Sequence, residues 1–229
     1  MKVRPEDIAL EKQSIDKKNS FFLLCGNEDT FIEKINELII NKLKKDGYLE
    51  VVKINESVDF ESTLMSNTSS LFSEKKIFVL NNQKNLDLDI IKKIDFTDKA
   101  IIIIDKKIKN SSKIKNYIEA HPEHICVTCY RLSRESKKSI LEYYLRLNKI
   151  EIEKDAYWFF IDNSDDRYML YENEIIKIIL FNNKKIILND LISLLSKNSS
   201  EDIDKLFFTI LSPQKEVIYA SLANLNSSG

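Results

Sequence analysis

Glycine and proline occur only three times each in 229 residues, cysteine three times and tryptophan once. So few glycines exclude a collagen-like or Gly/Ser-linker architecture, and leave little material for a glycine-rich phosphate cradle. Three cysteines are an odd count. With no secretory leader, they exclude a disulfide framework and point to reduced thiols in a cytosol. Residues 1–19 are charged throughout and do not resemble a signal peptide, and every apolar run is too short to span a bilayer. An excess of one charge sign is missing too: 35 Lys and Arg stand against 36 Asp and Glu, for a net charge of −1. Bulk basicity therefore recruits neither nucleic acid nor a membrane surface. What is present is a chain 43% hydrophobic and 31% charged, long enough for one large or two small globular domains. Lys far outnumbers Arg, and Ile and Asn are abundant, as an AT-rich coding sequence produces.

Hydrophobic periodicity divides the chain in two. Phe21-Phe22-Leu23-Leu24-Cys25 is a short apolar run stopped by Gly26-Asn27, which reads as a buried strand and a turn. Residues 29–45 then repeat apolar side chains at Phe31, Ile32, Ile35, Leu38, Ile39 and Leu43, a helix with one buried face that Gly47 ends. Further strands are expected at 50–54, 76–80, 100–105 and 125–129, with helices at 59–66, 86–94 and 111–120. Strands apolar on both faces and alternating with helices predict a parallel sheet covered by helices. After Cys129 the strands are expected to cease. Residues 133–147, 154–162, 166–180 and 188–196 read as helices, with polar starts at Ser133, at Glu135-Ser136 and at Asn189-Asp190. The expected boundary between the α/β part, residues 1–131, and a small helical bundle, residues 132–198, falls near Arg131. Residues 202–211 and 213–224 read as a last helical piece, with Pro213 suited to a first turn.

The strand, turn and helix opening this α/β part form the place where a phosphate-binding loop would lie. Such a loop needs glycine amides to cradle phosphates, a Lys to reach them and a Ser or Thr for the metal. Gly26-Asn27-Glu28-Asp29-Thr30-Phe31-Ile32-Glu33 lacks the second Gly, the Lys and the hydroxyl that follows it. Glu28 and Asp29 would repel phosphate. Ala100-Ile101-Ile102-Ile103-Ile104-Asp105 imitates a metal-binding strand ending in a carboxylate, but without a phosphate loop Asp105 reads as a strand-end cap. His121, His124, Cys126 and Cys129 carry metal-ligand residue types. Residues an odd number apart on a strand face opposite ways, so the two thiols should diverge rather than share a zinc ion. No Ser/His/Asp arrangement for a hydrolase is discernible. Lys106, Lys107, Lys109, Lys113 and Lys115 surround a turn and helix start. They read as a solvated face, with Lys107, Lys109 and Lys113 as candidate DNA contacts, although no aromatic is interleaved to stack on bases.

Ser69-Ser70-Leu71-Phe72-Ser73 is the most informative stretch. Leu71 and Phe72 are neighbours in a polar setting, and adjacent residues on a regular element point different ways, so one core cannot readily take both. Exposed together at a loop tip they would anchor in an apolar pocket of another protein. The competing reading tucks Phe72 under the loop as a plug for the sheet edge.

Taken in order, these features resemble the delta subunit of the bacterial DNA polymerase III clamp loader, from about Phe21 onward. Phe22-Leu23-Leu24-Cys25-Gly26-Asn27-Glu28 is similar to the family's opening strand and degenerate phosphate loop. Ser70-Leu71-Phe72 followed by a strand matches its clamp-binding element. Residues 108–115 resemble the turn after its fourth strand, and Val127-Thr128-Cys129-Tyr130 its fifth strand. Asp166-Arg167, Leu170, Glu174-Ile175 and Lys177 follow the third helix of its second domain.

The resemblance implies an AAA+/RecA-like α/β fold that binds and hydrolyses no nucleotide and carries no cofactor or metal. It also implies a place in a DNA polymerase holoenzyme in the cytoplasm. Ser70, Leu71 and Phe72 would then bind the beta sliding clamp and favour its opened ring, for loading onto primed DNA during replication. Gly26, Asn27 and Glu28 would be a non-binding relic. The implied partners are the clamp, the ATPase motor subunits and delta prime, with primed DNA reached through the complex and no membrane. Residues 199–229 would be only the start of a third, collar domain, which is consistent with a truncated chain and equally with one that naturally lacks the full collar. Two other readings compete: a small nucleotide-dependent transferase with an unusual phosphate loop, and a stand-alone clamp-binding scaffold.

Overall fold

The computed structural model describes residues 1–13, 15–16, 18–54, 74–81, 88–109 and 111–195. Six strands form one all-parallel sheet: β1 (Lys2–Val3), β2 (Phe21–Gly26), β3 (Glu50–Ile54), β4 (Lys76–Asn81), β5 (Lys99–Ile104) and β6 (His124–Cys129). Their order is β1-β6-β2-β5-β4-β3, so β2 lies between β6 and β5. The expected α/β architecture is therefore present. Strand alternation sorts the apolar runs into two cores. Phe22, Leu24, Ile77, Val79, Ile102, Ile125, Val127 and Cys129 face one side. Phe21, Leu23, Cys25, Phe78, Leu80, Ile101, Ile103 and Cys126 face the other. Because both faces are covered, these strands read as unbroken apolar runs rather than alternating ones.

Helix α1 (Pro5–Ala9) and helix α2 (Asp29–Lys45) accompany the first face. The buried stripe of α2 is Phe31, Ile32, Ile35, Ile39 and Leu43, matching its helical period. Asp46 closes the helix, and Gly47, at φ +100°, turns the chain toward β3. The second face holds α3 (Leu88–Ile91) and α4 (Lys113–Ala120), through Ile91 and Ile118. Between β6 and residue 195 lie α5 (Arg134–Asn148), α6 (Lys154–Asn163), α7 (Tyr168–Phe181) and α8 (Leu188–Leu194). Ser133 caps α5 by accepting from the Ser136 amide, the role its polar start suggested.

This helical layer shares the first core. Ile140, Leu141, Phe160, Tyr168, Tyr171, Ile175 and Leu191 belong to the same apolar cluster as α2 and the sheet.

Three expectations need correction. Strands do not cease after Cys129: β7 (Glu151–Ile152) and β8 (Lys185–Ile186) pair in parallel and tie the link before α6 to the segment after α7. Two residues are too few to show any period, so no pattern announced them. Residues 1–19, read only as charged, include an edge strand and a short helix. Pro5 starts that helix, and β1 pairs with β6. The helix expected at 86–94 is only Leu88–Ile91 within the described residues, and the helix expected at 59–66 lies outside them.

Candidate functional site

In an open parallel sheet, ligands bind beyond the carboxyl ends of the strands, where neighbouring strands run off in opposite directions. Here that place is the end of β2. The turn leaving it is occupied by the chain's own groups. Gly26 has φ +121°, and a Cβ there would lie 1.9 Å from the Cys129 carbonyl oxygen, so only glycine fits against β6. The Asn27 and Glu28 amides both donate to that same Cys129 oxygen, at 3.0 and 3.3 Å. Amides that would cradle a phosphate are thus spent on the neighbouring strand.

Glu28 is buried, with 4% of its surface exposed. Its carboxylate caps α2, accepting from the Phe31 amide at 2.6 Å and from the Thr30 hydroxyl at 2.9 and 3.0 Å. A carboxylate therefore stands at the helix N-terminus, where the dipole and free amides favour negative charge. Sequence reasoning assigned Glu28 only a repulsive effect on phosphate; the structure makes it the resident anion. Asp29 points outward and pairs with Lys106 at 2.8 Å.

The site continues into α7. Thr30 Oγ1 accepts from the Met169 amide at 3.2 Å. The Phe31 and Tyr168 rings stack at 4.1 Å and 11°. One helical turn along, buried Glu172 accepts from the Tyr144 hydroxyl at 2.8 Å and the Tyr168 hydroxyl at 3.0 Å, and pairs with Lys34 at 3.0 Å. Burial and the neighbouring Glu172 push both phenols well above the usual tyrosine range, so they remain donors. Arg167 forms a fork with Asp165 at 2.9 and 2.7 Å, and this hydrogen bonding holds the Asp165 carboxyl down at about 2. Asp166 pairs with Arg131 at 3.1 Å, and its carbonyl accepts from the Leu132 amide at 2.7 Å. Periodicity marked Tyr168 and Glu172 only as helical positions. Tyr168 and Glu172 are one turn apart, but Tyr144, Lys34 and Phe31 lie far away in sequence, so no local signal could have found those contacts.

The other sequence candidates are placed as follows. Asp105 accepts from the Lys107 amide at 2.9 Å, which is the strand-end role expected of it. Lys107, Lys109 and Lys113 are exposed. Lys115 does not join them: it is 4% exposed, and its ammonium donates to Thr128 Oγ1 at 3.4 Å. Its helix turns that side chain onto the sheet, so the solvated-face reading is corrected at this position. Thr128 is also 3.4 Å from the Cys25 thiol.

Cys126 and Cys129 point into opposite cores, as alternation requires. His121 and His124 stack at 3.8 Å. Burial first, then His121 and the N-terminal ammonium, push His124 down to about 4, so its ring is neutral at pH 7. Among the described residues no group of three or more His, Cys, Asp or Glu is placed to hold a metal ion, and no helix is long and apolar enough to cross a membrane. Ser70, Leu71 and Phe72 lie outside the described residues, in the connection from β3 to β4.

No protein-family model matches the chain. Among curated proteins, it is 26% identical over 169 residues to the DNA polymerase III subunit delta of Buchnera aphidicola from Schizaphis graminum, covering 68% of this chain and 48% of that protein. The chain resembles DNA polymerase III delta subunits. The corresponding subunit of the Buchnera from Acyrthosiphon pisum is 24% identical over 166 residues, covering 65% of this chain and 48% of that protein. This delta-like chain spans about half the length of the curated relatives it matches. Among solved structures, the Bacillus subtilis DNA clamp loader delta protein superposes with a TM-score of 0.65 at 14% identity, over 98% of this chain and 72% of that one. At that identity the superposition speaks for the fold. The resemblance drawn from the motifs is upheld, and the sheet with its helical layer is the delta-like fold.

Proposed function

We propose that this chain acts as a clamp-loader delta subunit: it binds the ring-shaped beta sliding clamp through Leu71 and Phe72, with Ser70 beside them, and favours the opened ring. The observation that carries this is the sequence similarity to delta subunits over two-thirds of the chain. In physical terms, a protein that binds the open ring more tightly than the closed one shifts that equilibrium by the difference in affinity. The chain itself performs no nucleotide chemistry in this reading. A phosphate loop without its Lys, whose amides bond Cys129 and whose helix N-terminus is taken by Glu28, supports that. Motor subunits, delta prime and primed DNA are its partners within the assembled loader in the cytoplasm. Exposed Lys107, Lys109 and Lys113 are candidate contacts to the DNA phosphates. Residues 1–131 form the clamp-binding part, 132–198 the helical lid and 199–229 the start of a collar.

The test is a double truncation, Leu71→Ala with Phe72→Ala. Each side chain moved from water into an apolar pocket contributes on the order of 1.5–3 kcal/mol. The pair should therefore weaken clamp binding by about 10²–10³-fold. Melting temperature on the same variant is the control. Lost affinity with an unchanged melting temperature supports an exposed anchor. Intact binding with a lowered melting temperature makes the pair core and refutes the assignment.

A further inference from the structure

Two helix N-termini converge on one buried carboxylate. Helix α2 points its first turn at Glu28 directly, through the Phe31 amide. Helix α7 reaches it through one intermediary: the Thr30 hydroxyl accepts from the Met169 amide and donates to Glu28. Arg167, at the N-cap of α7, contributes no side-chain cap and turns its guanidinium to Asp165. The first turn of α7 is thus capped from another helix, by a residue 139 positions earlier in the chain. Positive helix ends, free amides and a nearby Arg are what a phosphate between two layers would gather. In this chain a side chain supplies the negative charge.

We propose that Glu28 is a built-in anion standing in for a nucleotide phosphate between α2 and α7, so that the seating of the helical layer is fixed by the chain and does not respond to nucleotide. The idea rests on the proposed function only in taking the loop as non-binding. Glu28 and Thr30 are positioning residues here.

Amide hydrogen exchange on the full chain tests this, read at Met169 by NMR. Thr30→Val keeps the β-branched shape and removes the hydroxyl. With the cap lost, exchange at Met169 should accelerate about fivefold, while amides in the middle of α2 keep their rates. Glu28→Gln retains an acceptor for the Phe31 amide but removes the charge, and should produce a smaller acceleration. Millimolar ATP with magnesium should leave the unmodified chain's exchange pattern unchanged. Unaltered Met169 exchange in Thr30→Val would overturn the proposal, as would slowed exchange across α7 when nucleotide is added. Clamp binding enters none of these measurements, so failure of the clamp-binding reading leaves this result interpretable.

Discussion

The two faces of the sheet are built differently. One face carries α2 and, beyond it, the helical layer, and polar groups are sunk into that junction: Glu28 with Thr30 and Met169, Glu172 with Lys34 and two tyrosines, and Ser136 donating to Glu6. The opposite face is covered by α3 and α4 over an apolar bed of Phe21, Phe78, Ile101 and Ile103. Buried Lys115 and His124 lie toward opposite ends of it. Apolar packing is non-directional and holds layers together without fixing their angle closely. Buried hydrogen bonds and charge pairs are directional, and leaving one unmade is costly. The first face, at the end of β2 where an open parallel sheet takes its ligands, is the one where this chain places its own directional contacts.

Matched truncations on the two faces should break this comparison if it is wrong. Phe31 and Phe78 are both fully buried, one in each core. Changing either to Ala should destabilise the chain by about 3–5 kcal/mol in denaturant unfolding. Phe31→Ala also removes the stack with Tyr168, so it alone should loosen α7 ahead of the sheet in hydrogen exchange. Equal loosening of α7 in Phe78→Ala would show that the contact of the helical layer is not local to α2.

Acid sharpens the same contrast with a smaller effect. On the apolar face, His124 lies within 5.1–5.7 Å of the Phe21, Phe96 and Tyr117 rings and titrates near 4 when folded. The unfolded chain, with an ordinary histidine near 6.5, takes up the proton first. Stability contributed by neutral His124 is therefore complete above about pH 6.5 and falls as pH drops to about 4, with a slope of at most about 1.4 kcal/mol per pH unit. His124→Phe should flatten that window in a series of melting curves. On the side of the helical layer, hydrogen bonding to Arg167 holds the Asp165 carboxyl down at about 2, so its contribution survives to lower pH and is lost between about 4 and 2. An unchanged slope between pH 6.5 and 4 in His124→Phe would remove His124 from the acid response.

The elements were legible where periodicity was long and the faces unambiguous. Phe21-Phe22-Leu23-Leu24-Cys25 had to be a doubly buried strand, and α2 begins and ends where its apolar stripe and Gly47 indicated. β7 and β8 left no trace because two residues have no period. At the site, the missing Lys and second Gly could be read directly, whereas the role of Glu28 could not. Repulsion of phosphate follows from charge alone, but occupation of the helix N-terminus requires knowing that Gly26 is pressed against Cys129. The Lys115 position was invisible for a similar reason. A lysine in a basic run looks solvated until the helix phase turns it onto the sheet, where its stem can be covered while the ammonium finds Thr128.

Isothermal titration of ATP with magnesium into the full chain is the most direct measurement of whether the phosphate position is filled from within. A loop whose amides are bonded to Cys129 and whose helix N-terminus holds Glu28 should give no heat of binding up to millimolar nucleotide. Saturable binding with micromolar affinity would contradict the self-filled site and bring back the nucleotide-dependent enzyme reading.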